Sequence, residues 1–140
     1  MMTTLRHISG LLDHIGFRKS TDSQGTPNWE LPVAPHVVNT SGGLQGGLIA
    51  TLVDIAAGTV ALEHRPPNAG VVTSDLSVRY FRPVTDGAAR TQCTVMHAGK
   101  RSIVVQVEVY GGPDDSLAAL ATVNFATVDF ATDRTAVARD

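Results

Sequence analysis

Residues 39–63 read NTSGGLQGGLIATLVDIAAGTVALE, and this stretch decides how the rest of the chain is interpreted. Residues 48–63 are apolar around nearly the whole circumference of a helix, which predicts a buried helix rather than a surface one. Asp54 is the only charged side chain in its interior. A buried carboxylate needs a hydrogen-bond donor, a cavity or a changed protonation state. Asp54 is therefore a candidate functional residue, and a purely structural carboxylate is the alternative.

Two glycines, Gly46 and Gly47, stand where this helix begins. Glycine lets a ligand approach the backbone closely, and the first amides of a helix lack internal partners at the positive end of its dipole. This entrance suits an anion or a developing oxyanion; the alternative is a turn that needs glycine for its backbone conformation.

The spacing between the two candidate features limits how they can act together. Gly46 and Asp54 are eight positions apart, about 12 Å along a helix at 1.5 Å per residue. Reacting atoms must approach to about 3 Å. One reaction can therefore use both residues only if they come from two subunits with antiparallel helices.

The flanking segments predict an α+β domain. Residues 5–15 have helical spacing and end at Gly16, residues 18–28 read as a polar loop, and residues 29–33 as a brief strand. Four strand-like runs follow the long helix, with short hairpin-compatible connections that favour an antiparallel sheet: residues 72–80, 90–97, 103–109 and 117–128. We expect residues 1–140 to form a single domain, with an N-terminal helix over 1–17 and a flexible tail over 131–140.

Composition excludes several classes of function. The chain has 140 residues and a formal net charge of -2, which argues against a nucleic-acid partner. One cysteine, Cys93, and five histidines without paired spacing predict no disulfide framework and no metal site. The N-terminus lacks a signal-peptide pattern, and the longest apolar stretch is shorter than the roughly 20 residues of a membrane span. The chain is expected to be cytoplasmic, without a membrane partner.

Asn39, Gln45-Gly46-Gly47 and Asp54 together resemble the loop-and-helix signature of the hotdog-fold acyl-CoA thioesterases. The similarity is greatest to the PaaI-type branch of the 4-hydroxybenzoyl-CoA thioesterase superfamily, and it covers about residues 30–128. Tyr80-Phe81-Arg82-Pro83 resembles the family's strand-ending Tyr-x-x-Pro element. The resemblance implies a hotdog fold, in which a curved antiparallel sheet wraps a long central helix. It also implies edge-to-edge homodimers that pair into a homotetramer.

The resemblance further implies an activity and the residues that carry it. Water would hydrolyse an aryl- or short- to medium-chain acyl-CoA at the dimer interface, with no metal or redox cofactor. Asp54 of one subunit would act as general base or nucleophile. From the other subunit the Gly46 amide would polarise the thioester carbonyl, Gly47 would contact the substrate, and Asn39 would orient the water or the carboxylate.

Four more residues are candidates on the same resemblance. Thr73 matches a position where relatives often carry a hydroxyl that assists the water or the carboxylate. Simple alternation, however, places Thr73 on the polar face of its strand with Asp75 and Ser77. Three cations at strand ends or turns are predicted to bind the phosphates of coenzyme A, with ordinary surface charge as the alternative: Arg82, Lys100 and Arg101.

Gln45 departs from the usual family pattern, in which the first residue of the His-Gly-Gly motif is histidine. An amide donates and accepts hydrogen bonds but does not titrate near neutrality. A second hypothesis is therefore a non-catalytic hotdog protein that binds an acyl-CoA or aryl ligand. A third, a hydratase or dehydratase, needs a histidine beside Asp54, and His64 lies about 15 Å away by helix rise.

Overall fold

The computed structural model describes residues 8–21 and 24–129, which form two helices and six strands. In chain order the elements are α1 (Ser9–Ile15), β1 (Arg18–Thr21), β2 (Pro27–Pro32), α2 (Gly46–Glu63), β3 (Ala69–Tyr80), β4 (Ala88–Ala98), β5 (Ser102–Gly111) and β6 (Ser116–Asp129). The predicted tail over 131–140 and the first seven residues of the predicted N-terminal helix lie outside the described residues.

The six strands form one sheet in the order β1-β2-β4-β5-β6-β3. Every neighbouring pair is antiparallel, so the predicted antiparallel α+β architecture is confirmed. The sheet curves around α2, as the resemblance to hotdog proteins implied. β3 is the last strand on its side of the sheet, and one edge of its 12 residues pairs with no other strand in the described part of the chain.

The core lies between the concave face of the sheet and one face of α2. Alternate residues of a strand point to the same face, and four such residues of the central strand β5 are fully buried: Ile103, Val105, Val107 and Val109. The helix contributes its own buried row, which is Ile49, Leu52, Val53, Ala56, Ala57 and Ala61. These side chains fix the height and rotation of α2 over the sheet.

The prediction that α2 is buried all round is wrong for the protomer. The sheet covers only one side of the helix, so Thr51, Ile55 and Gly58 remain partly exposed and Leu62 is 44% exposed. Asp54 lies on this uncovered side and is half-buried. We call the uncovered side, formed by Thr51, Asp54, Ile55, Gly58 and Leu62, the open face of α2.

By length and hydropathy alone, α2 has the properties of a membrane-crossing helix, with 18 residues and a mean hydropathy of 1.5. The core helix of a globular protein has the same properties, and α2 packs one row of its side chains against the sheet. The absence of a membrane span therefore stays a prediction, and it depends on packing rather than on helix length.

Two N-terminal expectations have different outcomes. The predicted helix end at Gly16 is confirmed, because this residue caps α1 in the left-handed conformation at φ 116°. The predicted loop over residues 18–28 is wrong, because β1 pairs with β2 there. β1 is a short edge strand with the polar sequence RKST. Edge strands are commonly polar, so no alternation of apolar residues marked β1 as a strand.

Candidate active site

Asp54 and Thr73 form the central contact of the candidate site. The Thr73 hydroxyl donates a hydrogen bond of 2.7 Å to Oδ1 of Asp54. The second carboxylate oxygen, Oδ2, has no hydrogen-bond partner among the described residues. The strand therefore holds the carboxylate in one orientation and leaves one oxygen free for chemistry at the open face of α2.

A β-bulge in β3 brings Thr73 to this position. Thr73 pairs with Phe125 of β6 while Asp75 pairs with the next residue, Asn124, so Ser74 is the extra residue. The extra residue reverses the alternation. Ser74 and Asn124 close the bulge, since the Ser74 hydroxyl donates to the Asn124 carbonyl and the Asn124 side-chain amide donates to the Ser74 hydroxyl.

The bulge corrects the sequence interpretation of this strand. Thr73 pairs with the buried Phe125 of β6, and paired residues point to the same face of a sheet, so Thr73 lies on the inner face. Asp75 and Ser77 lie on the outer face. Val72, which simple alternation placed inside, is 49% exposed. Asp75, the other acid considered on this strand, faces away from α2 and is exposed.

The first turn of α2 presents unpaired donors. Gln45 is the N-cap residue, and its Oε1 accepts the Leu48 amide at 2.8 Å. The amides of Gly46 and Gly47 donate to no acceptor within residues 8–21 and 24–129, and neither does Nε2 of Gln45. An amide side chain can thus cap the helix through its oxygen while its NH2 group stays free for a ligand.

The glycines at this turn are not explained by backbone conformation. Neither Gly46 nor Gly47 has a positive φ, so the alternative of a turn that requires glycine is wrong. A Cβ on Gly46 would lie 3.6 Å from the Tyr80 ring, an ordinary contact, and one on Gly47 would meet only the flexible end of Gln45 at 3.0 Å. The protomer itself therefore tolerates a methyl group at Gly46, and the free space in front of the helix is open to a ligand.

Asn39 shapes the loop before α2. Its Oδ1 accepts the amides of Ser41 and Gly43 at 2.9 and 3.2 Å. The residue also lines an open groove of about 370 Å³ in front of the helix start, together with Leu44, Gly46, Ile49, Tyr80, Phe81, Arg82 and Pro83. The contacts of Asn39 are within its own loop, and its predicted catalytic role stays a prediction.

The structure divides the predicted site into two halves in each protomer. Asp54 and Thr73 form one half at the middle of α2, and the donors at Gln45, Gly46 and Gly47 form the other at its start. Gly46 and Asp54 belong to one continuous helix, so the separation of about 12 Å expected from helix rise applies. A single carbonyl group cannot contact both halves of the same protomer.

The three predicted phosphate-binding cations are also separated. Arg82 lies at the groove just after β3 ends, and its guanidinium donates to the Ser116 hydroxyl at 3.1 Å. Lys100 lies beside Ala69, where β3 begins, and Arg101 is its neighbour in the β4–β5 turn. The length of β3, about 3.3 Å per residue, places these two groups at opposite ends of the strand.

Tyr80 is the residue whose role the sequence did not show. Its hydroxyl donates to the carbonyl of Gly46, 34 positions earlier in the chain. The sequence marked Tyr80 only as part of the Tyr-x-x-Pro element. No local pattern could have revealed the contact, because it depends on where β3 ends relative to the start of α2.

Neither Cys93 nor any cluster of metal-binding side chains forms a second candidate site among the described residues. Burial raises the pKa of Cys93 to about 12, so the thiol stays neutral, as expected for a packing residue. It lines a cavity of about 190 Å³ next to Trp29, between α2 and the sheet. Among the described residues no three His, Cys, Asp or Glu side chains are grouped to hold a metal ion.

Comparisons with known proteins agree with the fold. The family model for the thioesterase superfamily matches residues 42–118, which include the start of α2, Asp54 and Thr73. The chain is 30% identical over 105 residues to the Halobacterium salinarum protein VNG_1336C, covering 71% of this chain and 69% of that one. It is 26% identical over 100 residues to the proofreading thioesterase EntH of Klebsiella pneumoniae, covering 71% and 73%.

Solved structures show the same fold. The BH2602 protein of Bacillus halodurans, determined with CoA, superposes with a TM-score of 0.76 at 29% identity and covers 88% of this chain and 78% of that one. The similarity extends over most of both chains.

Proposed function

The chain belongs to the thioesterase superfamily and is a thioester hydrolase, and from this premise we propose that it hydrolyses acyl-CoA thioesters with aryl or short- to medium-chain acyl groups. Water is the second substrate, and the reaction needs no metal or redox cofactor. The observation that carries the proposal is the hydrogen bond from Thr73 to Asp54.

Asp54 is the group that we assign to the attack on the thioester. With Oδ1 held by Thr73, Oδ2 is free to accept a proton from a water molecule. The water oxygen adds to the carbonyl carbon, the carbon–sulfur bond then breaks, and the proton on Asp54 passes to the departing thiolate. In the nucleophilic variant, Oδ2 itself adds to the carbonyl, and the carbon–sulfur bond breaks to release the thiolate and leave an acyl anhydride on Asp54. Water then hydrolyses the anhydride, which frees the acid, restores the Asp54 carboxylate and supplies the proton of the thiol.

The donors at the start of α2 are assigned to the carbonyl oxygen. As the carbonyl carbon becomes tetrahedral, negative charge develops on its oxygen, and fixed amides aimed at that charge lower the barrier. Gly46 and Gly47 offer two such amides, and Gln45 adds a side-chain donor. Donation needs no titrating group, so the proposal is compatible with glutamine in place of the family's histidine.

A homodimer completes the site in this proposal. Within residues 8–21 and 24–129, one edge of β3 has no partner strand and α2 is incompletely covered. If two β3 edges pair antiparallel about a two-fold axis, the two open faces of α2 meet on one side of a continuous sheet. The helices then run antiparallel, and Gly46 of the partner subunit approaches Asp54. Pairing of dimers into a homotetramer and a cytoplasmic location remain parts of this proposal.

The same dimer accounts for the separated cations. Antiparallel pairing brings the beginning of one β3 next to the end of the other. The Lys100 and Arg101 turn of one subunit would thus approach the Arg82 groove of its partner, where guanidinium and ammonium groups suit the phosphates of coenzyme A. The related Bacillus halodurans protein was determined with CoA, which supports this substrate class.

Thiol release from a panel of aryl and straight-chain acyl-CoAs tests the proposal. We expect turnover by the natural protein and at least a hundredfold loss of kcat in Asp54→Asn. Asp75→Asn is the matched control, since Asp75 is an exposed acid on β3 and faces away from α2. Binding without turnover on every substrate would instead identify a non-catalytic acyl-CoA-binding protein.

A further inference from the structure

Tyr80 connects the end of the edge strand to the first turn of α2. Its hydroxyl donates to the carbonyl of Gly46, and its ring lies 3.6 Å from the position that a Cβ on Gly46 would occupy. The residue is 49% exposed and lines the groove in front of the helix. Burial raises the pKa of Tyr80, so the hydroxyl keeps its proton and remains a donor at neutral pH.

The contact acts on the peptide that carries one of the free amides. The Gly46 carbonyl and the Gly47 amide belong to the same planar peptide unit. A hydrogen bond to the carbonyl therefore fixes the direction of the Gly47 N–H, and it also polarises that N–H. This control matters because two consecutive glycines have the greatest backbone freedom of any dipeptide, and the first turn of a helix has no preceding turn to hold it.

We propose that Tyr80 is a positioning residue that holds the Gly46–Gly47 peptide so that the amides of the first helical turn stay aimed at the thioester oxygen. The inference rests on the proposed function, because it concerns the donors assigned there to the developing oxyanion. It adds that the orientation of one of these two backbone donors, the Gly47 amide, is set by a side chain from β3. Since Tyr80 lies on β3, the orientation of the Gly47 amide also depends on the strand that we propose as the dimer edge.

Tyr80→Phe removes the hydroxyl and keeps the ring, so it isolates the hydrogen bond. We expect kcat to fall about tenfold while KM changes less than about twofold, because donors to an oxyanion act mainly in the transition state. Tyr110→Phe is the matched control. It is the only other tyrosine, and its hydroxyl donates to Glu108 on the outer face of the sheet; its kinetics should equal those of the natural protein.

A second measurement does not depend on turnover. The 15N–1H spectrum should show a shifted Gly47 resonance in Tyr80→Phe, and no shift there in Tyr110→Phe. An unchanged Gly47 amide, or an unchanged kcat in an active enzyme, would overturn the inference. So would a rise in KM at constant kcat, which would make Tyr80 a substrate contact, or dissociation of a Tyr80→Phe dimer, which would make it an assembly residue.

These outcomes are separable from failure of the proposed function. If the natural protein shows no turnover, or if Asp54→Asn retains it, the proposed function fails. The Gly47 amide measurement still decides whether Tyr80 orders the first turn of α2. If Asp54→Asn is inactive but Tyr80→Phe is not impaired, only the inference about Tyr80 fails.

Discussion

Thr73 of the edge strand donates a hydrogen bond of 2.7 Å to Asp54 in the middle of the central helix, 19 positions earlier in the chain. The bond gives the only charged side chain in the interior of α2 a dedicated partner and leaves one of its oxygens free. A carboxylate with one anchored and one free oxygen has a defined direction of attack, which is what a general base or a nucleophile needs.

Replacement of Thr73 tests the value of this anchor. Thr73→Val keeps the shape of the side chain and removes the donor, so the carboxylate loses its fixed orientation. We expect kcat to fall about ten- to a hundredfold, which corresponds to about 1.4–2.7 kcal/mol of activation free energy. Thr122→Val is the control, because Thr122 is exposed on the outer face of β6. Steady-state rates of Thr73→Val equal to those of the control would exclude the anchoring role.

The bulge at Ser74 explains why the sequence misplaced this residue. Period-2 alternation identified β5 correctly, because the buried residues of this strand repeat every second position without interruption. In β3 one inserted residue reverses the faces, and nothing in the local composition of residues 72–75 marks the insertion. The family resemblance identified Thr73, whereas the alternation argued against it.

The Gly46 amide can be removed without disturbing the helix. Proline is favoured at the first position of a helix, and Gln45, at φ −62° and ψ 131°, has the extended conformation that a residue before proline prefers. We expect Gly46→Pro to lower kcat by about a hundred- to a thousandfold through loss of the N–H donor.

Gly46→Ala is the matched variant, since it keeps the N–H and its methyl group fits at 3.6 Å from Tyr80. It should retain most of the activity if steric access to the amide is preserved. Circular dichroism and thermal melting of both variants check that the fold is intact. Full activity of a folded Gly46→Pro would remove this amide from the mechanism.

Arg82 is expected to act on the nucleotide part of the substrate only. Arg82→Met should raise KM for an acyl-CoA about five- to tenfold, since it removes a guanidinium–phosphate contact. The same variant should be unaffected with the acyl-N-acetylcysteamine thioester, which has no phosphate. Arg79→Met is the control, because Arg79 is exposed and points away from α2. An equal rise in KM for both substrates would show that Arg82 does not act through the phosphates of coenzyme A.

Gly58 should show opposite effects on stability and on activity. It lies one turn beyond Asp54 on the open face, and a Cβ there would approach Phe125 no closer than 3.8 Å. Gly58→Ala should therefore stabilise the fold by about 1 kcal/mol through helix propensity. If the partner helix begins opposite Asp54, Gly58 lies beyond that helix start, in space that we assign to the acyl group.

The expected result for Gly58→Ala is a higher melting temperature with a raised KM for bulky aryl thioesters and little change for acetyl-CoA. Thermal unfolding and kinetics on the two substrates measure both effects. Equal kinetics on bulky and small acyl groups would show that the acyl chain lies elsewhere.

Two further features, strand β1 and the contact between Tyr80 and Gly46, could not be predicted because each depends on residues distant in the sequence. β1 is a polar edge strand, so its existence depends on backbone pairing with β2 rather than on a hydrophobic pattern. The contact between Tyr80 and Gly46 depends on the crossing of a strand end and a helix start. The candidate carboxylate and the glycine pair, in contrast, were evident because each conflicts with its apolar helical surroundings.

The most direct test of the account mixes two inactive variants. Asp54→Asn and Gly46→Pro disable different halves of the site, so neither homodimer should turn over substrate. If the halves come from different subunits, a mixed dimer has one site with both mutations and one site with neither. Random exchange of subunits should then restore about one quarter of the natural activity. A mixture that exchanges subunits but stays inactive would contradict a site shared between two protomers.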